Sequence, residues 1–340
     1  MKKVLLIFIA LMFTIMTNAK NLLSLDNYSI PLYQKGAKIG AFLVSNSEQI
    51  SLVKDDSGLF EIDKKGNLNL KKNKAVQPGV PISYNIVVRY NGQDKSFTLV
   101  KDEFLHNKVV AHRGAWKHTG MHQNSMGALK KAVELGCEGS EFDVWLSKDG
   151  RVALNHDKDI NELIVEETDL SELQKITLKN NEIMPVLEDY INYIKTQNKT
   201  RLVLEIKSNK NGRAIALADS CVNIVHRMGA QAWVDYISFD YDALLRVRAL
   251  DAGTHIAYLQ PDKDMDLQKL DNVNGIDYNH SHFSKIDRLY DRARVLGLTV
   301  NVWTVNNEKL MSEFLDLGVD WITTDEPELL LKLIEGRKNK

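Results

Sequence analysis

Only two of the 340 residues are cysteine and only six are proline. Cys137 and Cys221 are too few for a disulfide framework or a thiolate metal site, and each sits in an apolar, helix-like stretch, so both read as buried free thiols. Neither sign of charge is in excess: 44 Lys and Arg stand against 45 Asp and Glu, for a net charge of −1. With no Lys/Arg run long enough to hold a polyanion, nucleic acid is excluded as a first partner. Long hydrophobic runs are absent beyond the N-terminus, where Lys2 and Lys3 precede the mostly apolar stretch Val4–Met16. That stretch is too short to span a bilayer comfortably, and Thr17-Asn18-Ala19 places small residues where a signal peptidase reads them. The expectation is a signal peptide over 1–19 and a periplasmic or secreted protein with no stable membrane insertion after cleavage. No cysteine beside that site could carry a lipid.

What is present is a composition 44% hydrophobic and 26% charged, enough for a large core and a second domain. From Asn21 to about Val100 short alternating runs such as Phe60-Glu61-Ile62, Leu68-Asn69-Leu70 and Tyr84-Asn85-Ile86-Val87-Val88 are separated by Asp-Ser-Gly, Lys-Gly-Asn and Asn-Gly turns. This pattern predicts a small antiparallel all-β sandwich over residues 20–103, with Lys101-Asp102-Glu103 as linker. The stretch Gly58-Leu-Phe-Glu-Ile-Asp63, followed by Gly66-Asn-Leu and Tyr84-Asn-Ile-Val-Val, resembles a cadherin-like repeat. The clusters of acidic calcium ligands usual in such repeats are missing, so the resemblance implies the sandwich and not the calcium.

Beyond the linker, short β-branched runs alternate with longer helical patterns, as in a parallel sheet wrapped by helices. Nine strand-like runs are legible: Val109–Arg113, Ser140–Leu146, Val152–His156, Leu202–Lys207, Tyr236–Asp240, His255–Leu259, Gly275–Asn279, Thr299–Thr304 and Trp321–Asp325. Only Ser147-Lys-Asp-Gly150 joins the second to the third, far too little for a parallel crossover, so these two form an antiparallel hairpin. Eight parallel strands remain. They predict an α/β fold, a (β/α)8 TIM barrel over 107–336, with its site at the C-terminal strand ends.

Polar residues gather at those ends. In Glu141-Phe142-Asp143 the two carboxylates share one strand face, and in Glu205-Ile206-Lys207 the Glu and Lys do the same. The hairpin brings His156 level with Glu141 and Asp143, and His112 and Arg113 end the first run. Converging carboxylates are costly unless paired or metal-bound. The all-oxygen set Glu141, Asp143 and Glu205 favours one hard divalent cation, Ca2+ or Mg2+, over zinc. Trp303 shares a strand face with Asn301 and is expected to floor the substrate pocket. Asn279-His280-Ser281-His282 offers two histidines without a third ligand and reads as a polar loop, while His118 and His122 read as solvated in a loop that borders the site and Trp116 is a candidate substrate contact.

Together His112-Arg-Gly114, Gln123-Asn-Ser125, Glu141-Phe-Asp-Val144, Lys148-Asp-Gly150, His156-Asp157, Met184-Pro-Val-Leu-Glu188, Glu205-Ile-Lys207, Val302-Trp-Thr-Val305 and Ile322-Thr-Thr-Asp325 resemble the motif series of glycerophosphodiester phosphodiesterases. The resemblance implies a metal on Glu141, Asp143 and Glu205, His112 and His156 as acid and base, and Arg113 and Lys207 on the phosphate. Where the family usually has Glu-Asn-Thr this chain has Gln123-Asn124-Ser125, a neutral amide in place of a carboxylate. The chemistry expected is metal-dependent hydrolysis of a small glycerophosphodiester to glycerol 3-phosphate and an alcohol. Two alternatives are a phospholipase C/D-like phosphodiesterase that acts on intact lipid by cyclisation and a non-catalytic surface-binding protein. The first lacks an extended membrane-docking segment; the second does not explain two histidines, three carboxylates and Lys207 kept together. A Schiff-base role for Lys207 fails because neighbouring anions raise an amine's pKa.

Overall fold

The computed structural model describes residues 23–44, 49–207, 212–259, 267, 270 and 272–338. The candidate signal peptide lies outside them. The chain divides into two compact units, one comprising residues up to Asp102 together with Ala249–Thr254, the other Glu103–Arg248 and His255–Lys340. No helix among the described residues is long and apolar enough to cross a membrane.

Among the described residues, the N-terminal part of the first unit is all-β and holds seven strands in two sheets. One sheet orders Ser29–Ile30, Gln93–Lys101, Ser83–Tyr90 and Ile50–Asp55; the other orders Lys38–Ala41, Asn67–Leu70 and Phe60–Ile62. Alternation sets which residues face inward: Ile86, Val88 and Tyr90 are buried along one strand, and Phe97 and Leu99 along its partner. The Asn91-Gly92 turn joins these two strands with positive φ at both residues, the conformation a two-residue hairpin requires. One pairing departs from the antiparallel expectation, since Ser29–Ile30 runs parallel to the end of Gln93–Lys101. Two residues give no periodicity from which to read a strand's direction.

The second unit is a closed barrel of eight parallel strands: β1 (Val109–Ala111), β2 (Gly139–Leu146), β3 (Arg201–Ile206), β4 (Val234–Ser238), β5 (Ile256–Tyr258), β6 (Gly275–Asn279), β7 (Thr299–Trp303) and β8 (Trp321–Thr324). Closure comes from β1, which pairs with β2 on one side and β8 on the other. The segment Val152–Leu154 folds back antiparallel on β2, with Leu154 opposite Val144. The barrel fold class read from the sequence is therefore the one observed. On β3 the outward residues Leu202, Leu204 and Ile206 are fully buried, and Phe142 of β2 meets Tyr190 of the helix Leu187–Ile194 at 4.7 Å between ring centres. Two buried faces per strand explain why these runs read as nearly continuous apolar stretches interrupted by inward polar residues. Both cysteines are buried free thiols, and burial pushes the Cys137 pKa up to about 12.

The turn leaving β1 fixes the first site residues. Arg113 and Gly114 both have positive φ, and the next helix, Met126–Leu135, crosses so closely that a Cβ on Gly114 would sit 2.7 Å from the backbone and Cβ of Ala128. Only glycine fits there. Ser125 caps that helix, accepting from the Ala128 amide, and Gly136 ends it in the left-handed conformation. Gly114→Ala is therefore expected to cost roughly 2–5 kcal/mol through strain and overlap, whereas Gly150→Ala, also at positive φ but with open space, should cost about 1 kcal/mol. Thermal melting of the two variants checks this, and equal shifts would show that the helix yields easily.

Candidate active site

The strand ends deliver the polar residues into one pocket of about 130 Å³, lined by His112, Arg113, Glu141, His156, Glu205, Lys207, Ile237, Phe239, Leu259, Asp277, Trp303, Thr304 and Thr323. Parallel register places Asp143 directly beside Glu205 and Glu141 beside Val203, so the carboxylates of β2 and β3 meet on the inner wall. Glu141, Asp143 and Glu205 are all buried, and one oxygen from each lies within 4.8 Å of the others. Among the described residues this is the one group of three potential metal ligands so arranged.

The charges are partly compensated. Lys207 Nζ lies 2.7 Å from an oxygen of Asp143 and 2.7 Å from one of Glu205. Asn124 grips Asp143 from both sides, its Nδ2 donating at 2.8 Å and its Oδ1 accepting the Asp143 amide at 3.1 Å. The Arg113 amide donates to Glu141 Oε2 at 2.9 Å, leaving Glu141 Oε1 buried and without a hydrogen-bond partner. Burial, with the neighbouring Asp143 and Glu205, pushes Glu141 well above the usual carboxylate range. Glu205 is pushed up to about 8 by burial and by Asp143, whereas Asp143 is held low because Lys207 and its hydrogen bonds outweigh its own burial. The same two anions raise Lys207 against the effect of its burial, so it stays charged. An orphaned oxygen, two carboxyls raised by crowding and an all-oxygen donor set fit a hard divalent cation.

Each histidine is held through Nδ1 by a carboxylate. His112 Nδ1 pairs with Asp325 Oδ1 at 2.7 Å, and its Nε2 stands 4.0 Å from Glu141. Asp325 is steadied in turn by the Asn306 amide at 2.7 Å, and although burial raises its pKa, the hydrogen bonds from His112 and Asn306 with the charges of His112 and Arg113 together bring it below the ordinary value. His156 Nδ1 pairs with the adjacent, exposed Asp157 at 2.8 Å. Burial lowers the His156 pKa, aided by Lys207 and Arg113 and opposed by Asp143. Arg113 Nη1 donates to Gln123 Oε1 at 2.8 Å, so the amide at that position orients the guanidinium without neutralising it.

On the far wall Trp303 packs edge-on against Phe239, 5.8 Å between ring centres, and its indole donates to the Asp277 carbonyl at 2.8 Å. The structure thus gathers His112, Arg113, Glu141, Asp143, His156, Glu205, Lys207 and Trp303 at one barrel end. His280 and His282 lie in a short 3-10 turn outside the pocket lining. His118 is exposed but pairs with Glu326 at 2.7 Å, beside Lys117 on the same carboxylate. Sequence reasoning gave no role to Asn124, Asp277, Asn306 or Asp325. Asp325 carried a signal, since it directly follows β8 as His112 directly follows β1; Asp277, alone in Gly-Ile-Asp-Tyr-Asn, carried only its inward parity.

Residues 112–329 match the model of the glycerophosphoryl diester phosphodiesterase family. A glycerophosphodiester phosphodiesterase from Caldanaerobacter subterraneus is 27% identical over 242 residues, 66% of this chain and 97% of that protein. The crystal structure of a glycerophosphodiester phosphodiesterase from Parabacteroides distasonis superposes with a TM-score of 0.64 at 39% identity, covering 70% of this chain and 99% of that one. Another, described as a putative glycerophosphodiester phosphodiesterase from Galdieria sulphuraria, gives 0.59 at 25% identity over 67% of this chain. With the family model spanning most of the chain and the carboxylates, histidines and cations of its barrel meeting in one pocket, this protein is an enzyme of the glycerophosphoryl diester phosphodiesterase family.

Proposed function

We propose that the enzyme hydrolyses glycerophosphodiesters to glycerol 3-phosphate and an alcohol, with Glu141, Asp143 and Glu205 holding one Ca2+ or Mg2+ and with His112 and His156 transferring protons. The observation that carries this reading is a cluster of three buried carboxylates, two of which line one pocket with two cationic side chains and two carboxylate-held imidazoles. When bound, the cation supplies positive charge against the phosphate oxygens, where negative charge grows in the transition state. Arg113, whose guanidinium is oriented by Gln123, and Lys207, which stays protonated, hold the diester's anionic oxygens. With Nδ1 of each histidine engaged by a carboxylate, Nε2 is the nitrogen left to exchange a proton. One histidine takes the proton of the attacking oxygen, and the other delivers a proton to the ester oxygen that departs.

Three outcomes are expected. First, chelator should abolish activity, and calcium or magnesium should restore it. In metal-depleted protein, protons compete for Glu141 and Glu205, both raised above the ordinary carboxylate range. Lowering the pH therefore weakens metal binding, and the affinity measured by calorimetric titration should rise about ten- to a hundredfold from pH 6 to pH 8. A pH-independent affinity would remove these carboxyls from the site.

Second, His112→Ala and His156→Ala should each lower kcat by about 10²–10⁴-fold with the fold intact, and the double variant should lose less than the product. An aryl phosphodiester, whose leaving group needs little protonation, should rescue only the variant lacking the acid. Losses of no more than a few-fold would make the histidines structural.

Third, Asp325→Asn should lower kcat by roughly 10–100-fold with little change in KM, because the imidazole it orients is a proton carrier rather than a binding group. Steady-state kinetics on a glycerophosphodiester decide it, and a pure KM effect would contradict the positioning role.

A further inference from the structure

We propose that Asp277 determines substrate specificity: its buried carboxyl, on the floor of the active-site pocket, binds a hydroxyl of the organic group attached to the phosphate and so selects polyol phosphodiesters over those without a free hydroxyl. The inference rests on the diesterase reading above and adds to it the residue that recognises the organic moiety.

β6 lies four strands from β2, so in an eight-stranded barrel Asp277 faces the carboxylate wall from the opposite side. The phosphate belongs among Arg113, Lys207 and the carboxylates, and whatever it carries must extend toward Phe239, Leu259, Trp303 and Asp277. Three of those four are apolar. Asp277 is 2% exposed, and its Oδ1 has no hydrogen-bond partner. Its neighbour Asn301 is largely committed elsewhere, donating to Thr323 Oγ1 at 2.9 Å and accepting the Val302 amide at 2.9 Å. An unpaired buried acceptor is costly, and such groups persist where a ligand completes them. Burial also raises the Asp277 pKa to about 7, opposed by a hydrogen bond with Asn301. A carboxyl that burial keeps partly neutral both donates and accepts, which suits a hydroxyl better than a cationic headgroup. The backbone of the same residue holds the Trp303 indole, so the floor acceptor and the aromatic wall are set by one strand position.

Asp277 also lines a second cavity of about 240 Å³ beneath, toward the N-terminal strand ends, with Val203, Ala257 and Thr299. Water in that cavity could satisfy Oδ1 without any role in recognition, and the experiment separates the two. The full-length enzyme is assayed on glycerophosphoethanolamine and on propyl phosphoethanolamine, which shares the headgroup but has no hydroxyl on its three-carbon chain. Asp277→Leu, similar in volume and free of a buried acceptor, should lower kcat/KM for the glycerol substrate by about 10–100-fold while leaving the propyl substrate within about twofold. Asp277→Asn, which keeps an acceptor and a donor, should stay within a few-fold of wild type on both. Calorimetric binding of glycerol 3-phosphate against propyl phosphate makes the same comparison without turnover, so an inactive wild type would overturn the diesterase reading and still leave this one decided. Equal losses on both substrates, or none on either, would overturn the proposal and make Asp277 a water-satisfied packing residue.

Discussion

Three carboxylates brought into one buried corner by adjacent parallel strands are the constraint around which the rest of the site is arranged. Register alone sets Asp143 beside Glu205, and neighbouring strands stand about 4.8 Å apart. At that separation in a low-dielectric interior, anions cannot all stay ionised without compensation. The chain compensates unevenly. Lys207 and Asn124 keep Asp143 ionised, while Glu141 and Glu205 are left to drift upward toward the protonated form. Complete internal pairing would stabilise the metal-free fold and weaken its hold on a cation. The unpaired Glu141 Oε1 is the position at which the structure leaves room for an external charge.

That arrangement depends on a rigid surround. The Arg113 amide reaches Glu141 only because Arg113 and Gly114 adopt left-handed conformations, each unfavourable for an ordinary side chain. The helix Met126–Leu135 holds the turn there: Ala115 donates to the Ala128 carbonyl, and Tyr190 donates to the carbonyl of Ser125, the helix cap. Outward residues of β1, β2 and β3 with no solvent exposure, among them Val109, Phe142 and Leu204, anchor the strands whose ends carry the chemistry. Strain at the mouth is thus sustained by apolar packing on the outside of the barrel.

Most of this was legible because it follows from periodicity and arithmetic. Residues two apart on a strand share a face, which joined Glu141 to Asp143 and Glu205 to Lys207, and four linking residues could only make a hairpin, which brought His156 back. The illegible parts are those that need two distant segments to be placed at once. His112 and Asp325 are 213 residues apart, and although an eight-stranded barrel puts β1 beside β8, nothing local in either segment states that these two side chains bond. The parallel pairing of Ser29–Ile30 and the grouping of Ala249–Thr254 with the first unit are likewise tertiary facts. Asp277 shows the remaining limit. Parity put it inside, but that its oxygen lacks a partner depends on where the Asn301 amide points.

The two histidine–carboxylate pairs, alike in bond length, differ in what surrounds them. Asp157 is 70% exposed and adjacent in sequence to His156, so water screens the pair, and its attraction is worth little more than that of a surface ion pair. Asp325 and His112 are each less than 20% exposed and come from separate strands, with Asn306 fixing the carboxylate from behind. Less water means stronger coupling and less freedom of rotation. His112 is therefore the imidazole whose orientation the fold dictates, held beside Glu141 at the carboxylate cluster. His156 sits on a segment that carries its own solvated partner. The pocket thus holds one imidazole fixed between two strand ends beside the buried carboxylates and one whose partner is local and solvated.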